Sequence, residues 1–197
     1  QSNHVQGPFV AKYSLDREQL WVRQFSTNNS FLSRSYFSAE RGQFTFASSD
    51  TLYSLSSAGV ITSTTISNAD QYEKIRVDDD GNIYLARRNS SLDLDLDTKR
   101  GSIALVKLDA DLNSVWVEDD FSSLGLDSVS YVYIGNWDLV IDKSGNPFVV
   151  IASEDIALSE IGVLSKPSAS YYDNDLAVFA YDKSNGTISG SKVFELK

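Results

Sequence analysis

The chain has 197 residues, 42% of them hydrophobic and 12% aromatic, which is enough apolar material for a sizeable core and excludes a disordered tail. Seventeen basic against 27 acidic residues leave a net charge of −10 with no large Lys/Arg cluster, so nucleic acid and anionic membrane surfaces are poor partners. No apolar run reaches the roughly 18 residues of a bilayer span. The lack of Cys excludes disulfides and thiolate chemistry, a single histidine excludes His-rich metal sites, and its place in the N-terminal tail, at His4, argues against a His-based triad.

The first seven residues, Gln1 to Gly7, have neither the charged nor the apolar region of an export signal, and the chain contains no Met. Those features read as a processed or excised segment. Phe9 to Val22 then reads as strand, polar turn and strand, and it aligns without a gap on Ala104 to Val117 at an offset of 95, with Lys12 on Lys107 and Trp21 on Trp116. Self-similar strand units cannot bury a face alone and must stack on neighbours. Tyr36 to Phe46 is a hairpin around Gly42, followed by Leu52 to Leu55 into Val60 and Ile61. The same hairpin recurs as Ile75 to Leu85 around Gly81-Asn82, and again, 64 residues on, as Leu139 to Val149 around Gly145-Asn146. Glycine suits these turns because they require a positive φ, which a Cβ makes costly.

After each such hairpin comes the other unit: Leu52 to Ile61, Ala104 to Val117, and Ala177 to Ile188 into Lys192 to Leu196. Two hairpins make one four-stranded antiparallel sheet. The spacing predicts three sheets, at about 36–66, 73–120 and 137–196, with Phe9 to Phe25 as the second half of another. The expected fold is all-β, a single domain or segment over residues 1–197. Tandem four-stranded units are the signature of β-propeller blades, about three and a half of them here.

Two motifs carry a resemblance to a known family. One is apolar-Val/Ile-Asp-x-x-Gly-Asn-x-Tyr/Phe, at Asp78 to Tyr84 and Asp142 to Phe148. The other is Ala-x-Val-Lys-Leu-Asp-x-x-Leu-x-x-x-Trp, from Ala104 through Lys107, Leu108 and Asp109 to Trp116. Together they resemble the bacterial β-propeller repeats of the SBBP type, and Lys12, Tyr13 and Trp21 fit the same pattern. The last copy drifts toward the quinoprotein-type repeat, with Ser189 in place of the tryptophan. The resemblance implies a propeller fold and an exported or cell-surface setting in a bacterium. It implies no activity, because propellers host binding, scaffolding and catalysis alike. Three and a half blades would leave open sheet edges. A second chain closing the ring, further blades of a longer propeller, and an open sheet stack all satisfy that count.

The remaining chemistry lies in carboxylates and loops. Glu118, Glu154 and Glu160 are candidates for a glycosidase-type pair, but no pairing follows from sequence, and no catalytic residue is assigned. In the run Leu92 to Asp97, an extended backbone puts Asp93, Asp95 and Asp97 on one side. Those carboxylates suit neutralisation by Arg87, Arg88, Lys99 and Arg100 or, alternatively, Ca²⁺. Three stretches depart from the bare repeat, Arg88 to Ser102, Ser122 to Asn136 and Ser153 to Asp175, and long loops on a rigid scaffold are where recognition sits. Tyr131, Tyr133 and Trp137 accompany the second, and Tyr171, Tyr172, Asp173 and Asp175 the third. Aromatic faces beside Asp and Asn suit sugar rings or a protein surface. The expected function is therefore a non-catalytic, exported binding or adhesion module for a surface or matrix ligand such as a glycan. A carbohydrate-active enzyme with a carboxylate pair in a propeller cleft and a structural subunit of a larger surface protein are the alternatives.

Overall fold

A computed structural model describes residues 9–25, 37–40, 42–48, 50–67, 69–93, 98–118, 136–153 and 175–195. The protein is all-β, built from antiparallel sheets, and divides into two compact units, residues 1–71 and 72–197. Among the described residues no helix is long and apolar enough to cross a membrane.

Residues 1–71 hold two sheets. Strands β1 (Phe9–Tyr13) and β2 (Gln19–Gln24) form a two-stranded sheet. The other sheet runs in sequence order through β3 (Phe37–Glu40), β4 (Gln43–Ser48), β5 (Thr51–Leu55) and β6 (Ile61–Thr65). Alternating apolar residues face one another between the sheets. Phe25 meets Phe46 edge-on with ring centroids 5.0 Å apart, and Phe46 stacks on Tyr53 at 5.0 Å, closing a core with Leu55, Val10 and Trp21.

Residues 72–197 hold two four-stranded sheets. The first comprises β7 (Lys74–Val77), β8 (Ile83–Asp93), β9 (Thr98–Leu108) and β10 (Ser114–Glu118). The second comprises β11 (Asn136–Ile141), β12 (Pro147–Ser153), β13 (Asp175–Tyr181) and β14 (Ile188–Glu195). One core joins the sheets, formed by Tyr84, Ile103, Leu105 and Trp116 from the first and Trp137, Leu139, Val149, Ile151, Phe179 and Tyr181 from the second. The stretch Arg88 to Ser102 was expected to be a loop insertion. Its described residues are instead strand: Arg88 pairs with Ile103, Asn89 with Ser102, and so on to Asp93 with Thr98. These residues extend the β8–β9 hairpin past β7 and β10, whose pairing ends at Ala86 and Leu105.

Five of the turns, those opened by Ser14, Ser56, Asp78, Asp109 and Asp142, share one geometry, a type I turn followed by a residue in the left-handed region, and the β13–β14 turn is longer, with the Gly186 amide donating to the Asp182 carbonyl. In the β7–β8 turn the Asp78 amide donates to the Asn82 carbonyl at 3.0 Å and the Gly81 amide to the Asp78 carbonyl at 3.1 Å. The Asp78 carboxylate also accepts from the Asp80 and Asn82 amides and the Asn82 side chain. Asp142 and Asp109 repeat the pattern in the β11–β12 and β9–β10 turns. This is why the motif reads Asp-x-x-x-Asn: one carboxylate caps two amides and an asparagine side chain. The left-handed position holds Gly81 at φ 84, but Leu112 at φ 68 and Arg17 at φ 65 occupy it in the two Lys–Trp units. The β3–β4 hairpin is tighter, with Glu40 opposite Gln43.

Candidate functional site

A repeated joint explains the strongest part of the sequence repeat. In residues 72–197, Lys107 on β9 lies opposite Trp116 on β10. The Lys107 Nζ and the Trp116 Nε1 both donate to one acceptor, the Lys183 carbonyl in the β13–β14 turn, at 2.9 and 3.0 Å. The indole face covers Gly186 of that turn. In residues 1–71, Lys12 lies opposite Trp21, and both donate to the Ser57 carbonyl in the β5–β6 turn, at 3.0 and 3.2 Å, with the indole against Gly59. Lysine and tryptophan recur because each pair latches one sheet onto the third turn of the next. The other two sheets carry different pairs at these register positions. Ser54 faces Thr62 and Ala180 faces Gly190, so Gly190 rather than Ser189 stands where a tryptophan would be.

A second set of contacts fixes the same end of residues 72–197. The Tyr84 hydroxyl donates to the Gly145 carbonyl at 2.9 Å and approaches Asp78 Oδ2 at 3.3 Å, and Lys183 Nζ reaches the Ser144 carbonyl at 2.7 Å. Burial, with the negative charge of Asp78 beside it, pushes the Tyr84 hydroxyl far above its ordinary pKa and keeps it a neutral donor. Asp109 is held below the usual carboxylate range by hydrogen bonds from the Asn113 side chain and amide, and Asp182 by those from Ser184. At Asp142 partial desolvation raises the pKa, but donors on Asn146 and Ser144 together with nearby Lys183 outweigh it, and the net shift is downward.

The opposite end is built differently. Because the strands alternate in direction, all four tight turns of residues 72–197 lie at one end of the two sheets. The starts of β7 and β11 lie at the other, as do the strand ends that flank residues 94–97, 119–135 and 154–174. Six side chains meet there. Arg88 pairs with Glu73, its Nη2 3.0 Å from Oε2, and the same carboxylate accepts the Trp137 indole N–H at 3.2 Å. Lys74 sits over the Trp137 ring, 5.5 Å from its centroid, and 3.6 Å from Asp138, which also accepts from Arg76 at 2.9 Å. Trp137 is only 8% exposed, a member of the inter-sheet core with its edge fixed by Glu73. Asp138, with about half its side chain open, and Arg88 present the charges outward. This arrangement offers fixed donors and acceptors around a buried indole, suited to holding a polar ligand.

Of the other expected contact residues, Asp175 begins β13 opposite Ser153 and Glu195. Tyr131, Tyr133, Tyr171, Tyr172 and Asp173 lie outside the described residues, as do His4, Glu154 and Glu160. Asp93 ends β8, and Asp95 and Asp97 also lie outside them. Among the described residues no group of three or more His, Cys, Asp or Glu side chains is placed to hold a metal ion. Glu118 is buried at the end of β10. The charged cluster escaped the sequence reading, although a signal was present: Lys74 and Asp138 occupy equivalent repeat positions, 64 apart, with opposite charges.

These features define a class, an all-β protein of four-stranded antiparallel sheets joined by repeated turn-end latches. No protein-family model matches the chain, and no curated protein is found to be similar to it.

Proposed function

We propose that this chain is a β-propeller-type repeat scaffold of the SBBP kind, from an exported or cell-surface protein, acting as a non-catalytic binding or adhesion module. One observation carries the reading: the two ends of residues 72–197 differ in kind. At the turn end, Asp78, Asp109, Asp142 and Asp182 cap turns, while Tyr84, Lys107 and Trp116 join sheet to sheet. At the other end stand the charged cluster and the strand ends flanking the two long intervening segments. Those segments carry Tyr131, Tyr133, Tyr171, Tyr172 and Asp173, an aromatic and acidic set suited to sugar rings or a protein surface. The amides, Arg and Lys that engage the carboxylates of both ends hold them in turns and ion pairs, an arrangement that supports a binding module.

The test is a panel of immobilised polysaccharides and matrix proteins probed with the full chain. The expected result is saturable binding to one member, weakened at least about tenfold when Tyr171→Ala and Tyr172→Ala are combined, with thermal stability unchanged. A panel without binding overturns the reading. So does binding that survives both that double variant and the Tyr131→Ala, Tyr133→Ala pair.

A further inference from the structure

We propose that Asn185 is a self-modification site, converted to aspartate or isoaspartate when the Gly186 amide nitrogen attacks its carboxamide, and that the Trp116 latch gates the reaction. This inference stands on the β13–β14 turn and is independent of the ligand assigned to the opposite end.

Asn185-Gly186 is the only Asn-Gly pair in the chain. A glycine after asparagine leaves the attacking nitrogen unhindered, because it carries no Cβ. The other turn asparagines are built differently. Asn82, Asn113 and Asn146 donate their side-chain amides to the turn carboxylates of Asp78, Asp109 and Asp142. They are followed by Ile83, Ser114 and Pro147, the first residues of β8, β10 and β12, and Pro147 has no amide hydrogen to give up. Asn185 instead accepts: its Oδ1 takes the Thr187 amide at 2.9 Å and the Thr187 hydroxyl at 2.8 Å. The residue is exposed, and its Nδ2 donates to no acceptor among the described residues. Two donors on a carbonyl oxygen draw electrons from its carbon and stabilise the oxyanion that an attacking nitrogen creates. The turn and solvent supply every atom of the reaction. The bond from Gly186 N to Asn185 Cγ forms and the Cγ–Nδ2 bond breaks. Nδ2 leaves as ammonia, with the proton that solvent carries from the Gly186 amide. Water then opens the succinimide at either carbonyl, giving aspartate or isoaspartate without oxidation or reduction.

The restraint on this step lies in the same turn. The Gly186 N–H donates to the Asp182 carbonyl at 2.8 Å, which ties down the attacking nitrogen. Gly186 is buried under the Trp116 indole, whose Nε1 shares the Lys183 carbonyl with Lys107. A shut latch therefore holds the turn closed over its own nucleophile. When the latch opens, that nitrogen is released, while the contact between Asn185 and Thr187, two residues apart, is local and stays in place. An isoaspartate would lengthen the backbone between Lys183 and Gly186, so that carbonyl and glycine no longer fit one indole. Either product also adds a carboxylate to the turn that already holds Asp182. The change runs one way: opening permits it, and its product weakens the latch.

The test incubates the full chain in warm, mildly alkaline buffer and follows deamidation residue by residue by peptide-mapping mass spectrometry. Asn185 should convert at least about tenfold faster than Asn82, Asn113 and Asn146, with both products present. Thr187→Val keeps the amide donor, removes the hydroxyl, and should slow conversion about tenfold. Trp116→Leu should speed it about tenfold, whereas Tyr84→Phe, which loosens the same two sheets at a different turn, should not. Circular dichroism checks that each variant folds, and Lys107→Met, which removes the other donor to the Lys183 carbonyl, replaces Trp116→Leu if that chain does not. Conversion at Asn185 no faster than at the other three asparagines overturns the proposal, as does an unchanged rate in Thr187→Val. Equal acceleration by Trp116→Leu and Tyr84→Phe would overturn the latch as the gate and assign the reaction to globally unfolded chains.

Discussion

Gly186→Ala tests the latch most directly. Gly186 adopts φ 78, where an alanine costs about 1–2 kcal/mol relative to its preferred conformations. Its Cβ would also stand 2.6 Å from Trp116 Cε3 and 2.8 Å from Cδ2. Carbon atoms pack at about 3.5–4.0 Å, so the ring would have to retreat by about 1 Å. That retreat disturbs the 3.0 Å hydrogen bond from Nε1 to the Lys183 carbonyl, and overpacking of this kind costs about 1–3 kcal/mol. The expected total is about 2–5 kcal/mol. Gly145 is the control: its φ is 82, but an added Cβ meets nothing nearer than Asp78 Oδ2 at 3.5 Å. Gly145→Ala should therefore cost only the backbone share, about 1–2 kcal/mol. Urea unfolding followed by circular dichroism supplies both values. In a Trp116→Leu background the cost of Gly186→Ala should fall to that of Gly145→Ala, a coupling of about 1–3 kcal/mol. Equal costs for the two glycine variants in the parent chain, or a difference that persists without the indole, would refute the latch.

Three further outcomes are expected. Tyr84→Phe should destabilise the chain by about 1–2 kcal/mol, because the Gly145 carbonyl loses its donor, whereas Tyr181→Phe should be neutral or stabilising by up to about 1 kcal/mol in the same urea assay. The reason is that the buried Tyr181 hydroxyl has no hydrogen-bond partner among the described residues. Asp109, Asp142 and Asp182 are all held below their ordinary pKa, so the stability they contribute is complete above about pH 4 and is lost as pH falls through their lowered values. The urea midpoint should drop over that range, and Asp142→Asn should make the drop shallower. Arg17→Asn should stabilise residues 1–71 by about 0.5–1 kcal/mol, since asparagine tolerates the left-handed φ of 65 that arginine adopts there; an unchanged melting temperature would count against strain at that turn.

The sheets were legible because a four-stranded repeat writes itself twice, once in strand alternation and once in its turns. Asp78-x-x-Gly81-Asn82 and Asp142-x-x-Gly145-Asn146 announce hairpins, since the carboxylate and the left-handed residue are local requirements. The equivalent geometry at Ser14 to Glu18 and Asp109 to Asn113 was harder to see, because Arg17 and Leu112 replace the glycine and nothing local marks them as left-handed. The extension of β8 and β9 was hidden for another reason. Residues 88–93 and 98–102 are rich in Ser, Asp, Lys and Arg, a composition typical of loops, and only the pairing partner decides whether such residues form strand. The charged cluster at Glu73, Lys74, Arg88, Trp137 and Asp138 joins positions about 50–65 residues apart, and its members touch only because two sheets pack side by side.

The same physics explains why the turn end of the scaffold speaks in the sequence and the opposite end does not. Each latch must satisfy one carbonyl with the same two donors and seat an indole on a residue without a Cβ, so Lys, Trp and Gly recur at fixed spacings. In both sheets of residues 72–197 a turn carboxylate must cap the same amides, so Asp and Asn recur with it. Among the described residues at the other end, the contacts differ from sheet to sheet. The residues equivalent to Glu73 and Lys74 are Trp137 and Asp138, which do not copy them but complete them as hydrogen-bond donor to an acceptor and acid to a base. A repeat keeps what every joint requires and lets the rest diverge. The divergent end of residues 72–197, where Asp138 and Arg88 reach outward, is therefore the part of this fold whose side chains the scaffold itself leaves unspecified, and it is there that the proposed recognition would have room to differ from one sheet to the next.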